Sequence, residues 1–271
     1  MKGLQELRAL VDEAQSRQVP RRGVIAAFVG AGGKTTAIFA LARLAADEGL
    51  SVAVTTTTRI YDPRDEAGRS FDDVVLDPLL GQAAAVALAD PAAVGLRLPA
   101  ARSGRITVLA AGRDVGQGKL IGMDPSRCAA LAGVFDLVLV EADGSRGLPV
   151  KAPAGHEPAL PREADIVFGF IGLDCLGKPA TTAVVHRLDC FLSVAGAAQG
   201  SPIAPAHLGR LAAHPEGLFK SAPAGALRVV VLNKADGVAA GLAERARSEV
   251  GATGAASRVI LASLAPRTVP Q

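Results

Sequence analysis

Apolar residues along this chain follow two alternating rhythms. GVIAAFVG (23–30) is an unbroken apolar run of strand length, whereas residues 34–48 place Ile38, Leu41, Leu44 and Ala45 on one helical face. LSVAVTTTT (50–58) reads as a second strand that ends in threonines. FDDVVLD (71–77), GRITVLAAGRD (104–114), FDLVLVEADG (135–144), ADIVFGFIGLD (164–174), ALRVVVLNKAD (226–236) and SRVILASLAP (257–266) extend the strand set. A helix of about a dozen residues is expected between the last two. The glycine-rich GRDVGQGKLIG that overlaps and follows 104–114 suggests a hairpin or an exposed loop. Strands buried on both faces and separated by helices predict an α/β fold, a three-layer, doubly wound, mostly parallel sheet. Residues 1–22 read as an N-terminal helical extension and 23–271 as a single domain with an inserted loop region at about 145–190. The Pro/Gly-rich segment 145–163 is the longest irregular stretch, a feature more often functional than idle.

Composition narrows the partners. With 49% hydrophobic residues, 3% aromatics and no Trp, the core must be built from Val, Leu, Ile and Ala, and platforms for base stacking are scarce. A net charge of +3 without a long basic run gives no nucleic-acid signature. Cys128, Cys175 and Cys190 are odd in number and widely spaced, which excludes a disulfide framework and a zinc spacing; they read as buried thiols of a reducing cytoplasm. The N-terminus has leucines among charges rather than a signal sequence, and no apolar run reaches the roughly 18 residues of a membrane span. A cytoplasmic protein with no membrane partner is expected.

Candidate chemistry gathers at the strand ends, where open α/β sheets bind ligands. In FVGAGGKTT, Gly33, Lys34 and Thr35 fit the G-x-x-x-x-G-K-[ST] phosphate loop, but Phe28 replaces its first glycine. Gly30 and Gly32 permit positive φ, so the N–H groups of Gly30, Ala31, Gly32, Gly33 and Thr36 and the helix dipole can converge on phosphate. Lys34 would reach the β/γ-phosphates, and the Thr35 hydroxyl would ligate Mg²⁺. The segment LVLVEADGSRG ends in Glu141 and Asp143, two residues apart on one side of an extended strand and both candidate Mg²⁺ ligands. Arg146 is a candidate for offsetting charge on the γ-phosphate; the alternative is a solvated arginine. The threonines of TTTTR (55–59) would set hydroxyls beside the phosphates or merely reflect strand propensity.

Asn233-Lys234-Ala235-Asp236 matches Asn-Lys-x-Asp, the guanine-selecting pattern of P-loop GTPases. Asp236 would accept from guanine N1–H and the exocyclic amine, donors that adenine lacks, while Asn233 bonds near the phosphate loop and Lys234 covers the ring. Helix capping by Asp236 is the competing reading. His156, His186, His207 and His214 lack metal-ligand spacing.

Taken in order, FVGAGGKTT, VTTTTRIY, LVEADGSRGLPVKAPAGHEPALP, GLDCLGKP, VHR and LNKAD resemble the YqeC family, whose members are named as selenium-dependent hydroxylase accessory proteins. The resemblance spans about Val24 to Ser263 and implies a P-loop nucleoside triphosphate hydrolase-like protein that assists maturation of molybdenum hydroxylases. Lys34 and Thr35 fall on the family's phosphate motif, which shares the variant loop. Glu141, Asp143, Ser145, Arg146 and Lys151, then His156 and Glu157, fall on its central segment, and Asp174, Lys178 and Arg187 on the later one. Lys-Thr-Thr and Asn-Lys-x-Asp also resemble the dimer-forming P-loop class that includes metal-insertion GTPases, so a homodimer is an expectation. Val29, however, stands where some of those ATPases carry an extra lysine. Three functions follow: a Mg²⁺-dependent NTPase using GTP ahead of ATP, a nucleotide-gated scaffold for a hydroxylase or its cofactor, or a small-molecule kinase or nucleotidyl-transfer enzyme. In the third, Lys151, His156, Asp174, Lys178 and His186 would receive an anionic acceptor.

Overall fold

The computed structural model describes residues 2–18, 22–66, 69–83 and 98–264, and its elements follow the two rhythms closely. In chain order they begin with α1 (Leu4–Ser16), β1 (Val24–Gly30), α2 (Lys34–Asp47), β2 (Val52–Thr56), β3 (Arg59–Tyr61), β4 (Asp73–Leu76), β5 (Ile106–Ala110), β6 (Gly112–Asp114) and β7 (Lys119–Ile121). They continue with α3 (Cys128–Ala132), β8 (Leu137–Glu141), β9 (Val150–Lys151), β10 (Ile166–Gly172), β11 (Val185–His186), α4 (Leu188–Ala195), α5 (Pro205–Ala213), β12 (Leu227–Asn233), α6 (Ala240–Ala252) and β13 (Arg258–Leu261). The end of the stretch 257–266 lies outside the described residues.

Eight strands join in the order β13-β12-β10-β1-β8-β2-β5-β4. Every neighbouring pair is parallel. Consecutive strand side chains point to opposite faces, so Val24, Ala26 and Phe28 of β1 share one core with α1 and α2. Ile25, Ala27 and Val29 share the other with α3, α4, α5 and α6. This is the three-layer α/β sheet that the patterns predict. Because its strands are parallel, their carboxyl ends meet along one edge, and the polar residues that follow β1, β2, β8, β10 and β12 collect there.

Several details differ from the sequence reading. The glycine-rich stretch is a hairpin, β6–β7, and β3 joins it to make a separate antiparallel sheet. The 145–190 region contains two short parallel strands, with Val185 opposite Val150 and His186 opposite Lys151. The helices α4 and α5 went unread because they span only 8 and 9 residues, too few to set a clear period. Cys128 and Cys175 are buried, and burial pushes both thiols up, Cys175 to about 12; Cys190 is only partly buried. No helix among the described residues is long and apolar enough to cross a membrane.

Phe28 now has a physical explanation. It lies within β1, opposite Phe168 of β10 on one side and Glu141 of β8 on the other. Its fully buried ring sits 5.1 Å from the Phe168 ring and 5.9 Å from that of Phe170, centroid to centroid. The strand extends through Gly30, so the turn itself needs only Ala31 to Gly33 before α2 begins. Phe28→Gly would restore the usual motif letter yet empty this aromatic cluster. We expect it to lower the free energy of urea unfolding by about 3–5 kcal/mol; a loss below about 1 kcal/mol would contradict the packing argument.

Candidate functional site

The turn between β1 and α2 is shaped by glycines. Gly30, Gly32 and Gly33 have φ of 87°, 92° and 121°, which L side chains rarely adopt. A Cβ on Gly32 would stand 2.3 Å from the Gly172 nitrogen, and one on Gly33 would stand 2.4 Å from Asn233 Nδ2. The loop therefore threads tightly between the ends of β10 and β12. α2 opens directly after Gly33 with no side-chain cap, so its first N–H groups remain available. Asn233 is buried and pins this turn, donating from Nδ2 to Gly32 O at 2.9 Å and accepting the Leu264 N–H at 3.0 Å.

A chain of buried charges lies beneath the loop. Lys34, 3% exposed, turns back to donate to Gly30 O and stands 3.0 Å from Asp143 Oδ1. That ion pair lacks hydrogen-bond alignment, so Oδ1 has no hydrogen-bond partner. Asp143 Oδ2 accepts the Gly30 N–H at 3.0 Å and lies 3.1 Å from Lys151 Nζ. Lys151, 1% exposed, also donates to Gly144 O at 2.8 Å and to Glu157 Oε2 at 3.0 Å. Glu157 in turn accepts from Ala154 N–H at 3.2 Å and from Arg187 at 3.4 Å. Burial alone would raise the Glu157 carboxyl. The Lys151 charge and hydrogen bond, the Ala154 N–H and the Arg187 charge outweigh it and hold the pKa at about 2.

Glu141 stands apart from that chain. Its Oε2 accepts the Thr35 hydroxyl at 2.7 Å. Burial raises its pKa, against the opposing Lys34 charge and Thr35 hydrogen bond. Thr35 and Glu141 are the hard oxygen donors Mg²⁺ takes, and that ion completes its shell with water and phosphate oxygens. Asp143, engaged by two lysines, is placed otherwise than the sequence suggested: it orders the loop instead of standing with Glu141 as a metal ligand. No group of three or more His, Cys, Asp or Glu able to hold a metal ion occurs among the described residues. The donor set thus fits Mg²⁺ only together with phosphate.

Above the loop opens a cleft of about 1020 Å³. Its floor is Gly32 to Thr36 with Glu141. Thr57 to Tyr61, Glu66, Arg69 and Lys119 approach from the β2 side, and Gly144 to Gly147, His156, Glu157, His186 and Arg187 from the side where Pro149 O accepts the Gly172 N–H of β10. Seven Lys or Arg (Lys34, Arg59, Arg69, Lys119, Arg146, Arg187, Lys234) against three Glu (Glu66, Glu141, Glu157) leave four formal positive charges, which favours a polyanion.

The structure brings together Gly32, Gly33, Lys34, Thr35, Thr36, Glu141, Arg146 and Lys234 around this cleft. It sorts the remaining candidates. The N–H groups of Gly30 and Ala31 are taken by Asp143 Oδ2 and Phe170 O and are not left for phosphate. Lys151 is buried against Asp143 and Glu157, outside the lining, instead of receiving an acceptor. Thr55, Thr56 and Thr57 spend their hydroxyls on the backbone carbonyls of Leu109, Glu141 and Ala159; of the threonines in this run, Thr57 and Thr58 line the cleft. Lys234 pairs with Asp174 at 2.9 Å, and Lys178 is exposed outside the lining. Asp236 is exposed in a short turn, Ala235–Gly237, and also lies outside the lining. The N-cap of α6 is Ala239, so Asp236 is not the cap of that helix. Sequence reasoning missed Tyr61, Glu66, Arg69 and Lys119, which reach the cleft from the β3–β7–β6 sheet and the turn beyond β3 with no local motif to announce them.

The family model described as YqeC protein matches residues 26–189. A curated protein of Escherichia coli (strain K12), printed as "Uncharacterized protein YqeC", is 33% identical over 237 residues, covering 86% of this chain and 84% of that relative. No solved structure matches the chain.

The buried ion chain predicts a pH signature. A carboxyl depressed in the folded state stabilises it above the free glutamate value of about 4.3, and that contribution is lost as pH falls. For Glu157 the loss runs down toward its folded value of about 2. Glu157→Gln should therefore unfold more easily than wild type near neutral pH, with the difference narrowing below about pH 4.3. Chemical denaturation across that range checks it, and a pH-independent difference would overturn the assignment.

Proposed function

The chain belongs to the YqeC family, and from that membership and its cleft we propose that it binds a nucleoside triphosphate with Mg²⁺, GTP ahead of ATP, and cleaves it. The reading is carried by the cradle: a glycine turn at the open start of a 14-residue helix, with Lys34 within it and Thr35 against the buried Glu141. Backbone N–H groups and a helix N-terminus are intrinsic phosphate ligands. Lys34 would exchange the Gly30 carbonyl for phosphate oxygens, keeping Asp143 beside it as counter-ion. Mg²⁺, when bound next to Thr35 and Glu141, would neutralise phosphate charge. Arg146, exposed on the cleft wall with no acidic partner among the described residues, is free to turn toward charge developing on the transferred phosphoryl.

Guanine is favoured by Asn233-Lys234-Ala235-Asp236, whose Asn233 is bonded to the cradle while the exposed Asp236 is left to receive a base edge. The task, maturation of a selenium-dependent molybdenum hydroxylase, is supported by the resemblance through residues 141–187, and a hydroxylase or its cofactor would be the partner. One observation favours a second reading, transfer to a small acceptor: the cleft continues past the cradle to His156, His186 and Arg187.

Lys34→Ala is expected to weaken GTP binding by about 100-fold, since it removes charge-assisted bonds to phosphate. Asp236→Asn should cost GTP affinity and transfer preference to xanthosine triphosphate. Calorimetric titration with GTP, ATP and xanthosine triphosphate, with and without Mg²⁺, reads both. Unchanged binding in Lys34→Ala sinks the cradle assignment, and unchanged base preference in Asp236→Asn sinks guanine.

A further inference from the structure

Four non-glycine residues among those described have positive φ: Arg146 (52°), Arg187 (63°), Ser221 (58°) and Lys234 (60°). Three of the four are cations, and all three line the same cleft. L side chains enter this region only where the surrounding structure holds them there, and such residues gather at ligand-binding positions. Lys234 is paired with Asp174. Arg146 and Arg187 share the wall that leads away from the cradle, together with His156 and His186.

That wall is rigid and carries surplus positive charge. One buried ammonium, Lys151, holds both of its strips, through Gly144 O beside Arg146 and through Glu157 beside Arg187. Glu157 serves Lys151 and Arg187 at once, and Arg146 has no acidic partner among the described residues. The His186 side chain has no hydrogen-bond partner among the described residues, and its backbone is fixed by pairing with Lys151. Burial first, then the Lys151, Arg187 and Arg146 charges, hold its pKa below the ordinary value, with Glu157 opposing. A neutral imidazole in that position presents a donor to a ligand. At about 1020 Å³ the cleft matches the upper end of small-ligand sites, so the cradle and the wall can be filled together.

We propose that Arg146, His156, His186 and Arg187 form a second anion site, which holds a phosphate-bearing small molecule beside the triphosphate end of the cradle. This rests on the nucleotide reading only for what fills the cradle. The site selects a tetrahedral dianion over a monocarboxylate, because two guanidinium groups and two imidazoles line this wall, where only Glu157, already shared, offsets them. The molecule bound there is an acceptor or effector brought within reach of the transferred phosphoryl.

Sulfate, a tetrahedral dianion that does not titrate near neutrality, is the probe. At constant ionic strength, wild type saturated with Mg²⁺ and a non-hydrolysable GTP analogue is titrated calorimetrically with sulfate and, separately, with acetate. Sulfate should bind saturably, and acetate about tenfold more weakly or worse. Arg187→Gly, which keeps the left-handed backbone without strain, and His186→Ala should each loosen sulfate by about tenfold or more, and Arg187→Lys should recover part of the loss. Without nucleotide, wild type should still bind sulfate about tenfold more tightly than Arg187→Gly does. That arm reads the wall even if the analogue does not bind wild type, so failure of the nucleotide reading is seen separately. Absence of saturable sulfate binding, binding indifferent to Arg187→Gly and His186→Ala, or acetate as tight as sulfate would each overturn the proposal.

Discussion

Asp143 is the carboxylate on which the architecture of the cleft turns. It lies just past the end of β8, nearly inaccessible, with Lys34 on one oxygen and Lys151 and the Gly30 N–H on the other. An isolated carboxylate at that depth would be strongly disfavoured, and an isolated ammonium equally so. Each therefore requires the others, and the three elements that carry them are tied together: the start of α2, the turn after β8 and the strand β9. Taking away any one charge leaves its partners buried and uncompensated, which is far more damaging than replacing the whole set by apolar groups. The group thus specifies how these segments sit more than it adds to stability.

The same arrangement bears on the phosphate binding proposed for the loop. Lys34 rests on the Gly30 carbonyl and beside an Asp143 oxygen that lacks a hydrogen bond, so its ammonium is held by one good bond and one imperfect pair. A phosphate offers better-aligned charged acceptors, and the exchange moves a flexible side chain while Asp143 stays fixed by Lys151 and Gly30. Lys151 cannot follow, because Gly144 O and Glu157 engage its remaining donors. In the proposed complex one lysine would therefore change partners, and the other holds the frame within which it would do so.

How much of this was legible in the sequence depends on the range of the interactions. The strands of the central sheet were legible because a strand buried on both faces writes itself as a continuous apolar run. The glycine turn was legible because its demands, positive φ and a helix start, fall on adjacent residues. Phe28 looked like a damaged motif only while the turn was assumed to begin there; β1 continues for two more residues, and the position belongs to the core. The function of Lys151 was not legible. Its partners lie at 143, 144 and 157, reached through a turn and a loop, so a lysine in a Pro/Gly-rich segment reads as an acceptor ligand or a loop residue and not as a buried counter-ion. The β2 side of the cleft was hidden for a similar reason. Tyr61 and Lys119 meet only because β3 and β7 pair across a long stretch of chain, with Tyr61 opposite Lys119.

The pattern Asn-Lys-Ala-Asp separates into parts with different physical duties. Asn233 binds the cradle carbonyl of Gly32 and the N–H of Leu264, and the space it fills is what a side chain on Gly33 would need. Its role is complete without any base. Lys234 takes a left-handed backbone and an ion pair with Asp174, joining the ends of β12 and β10. Ala235 N–H and Asp236 N–H bond to Ala262 O and Ser263 Oγ, fastening the turn to the end of β13. Only the Asp236 carboxylate is left without a structural duty, exposed at the rim of this fastened turn. If a guanine is bound as proposed, this carboxylate is the group of the motif that would read its edge, from a backbone fastened in place. The residues that look most like base recognition are thus mainly scaffold, and in the proposed guanine reading discrimination would fall to this single side chain.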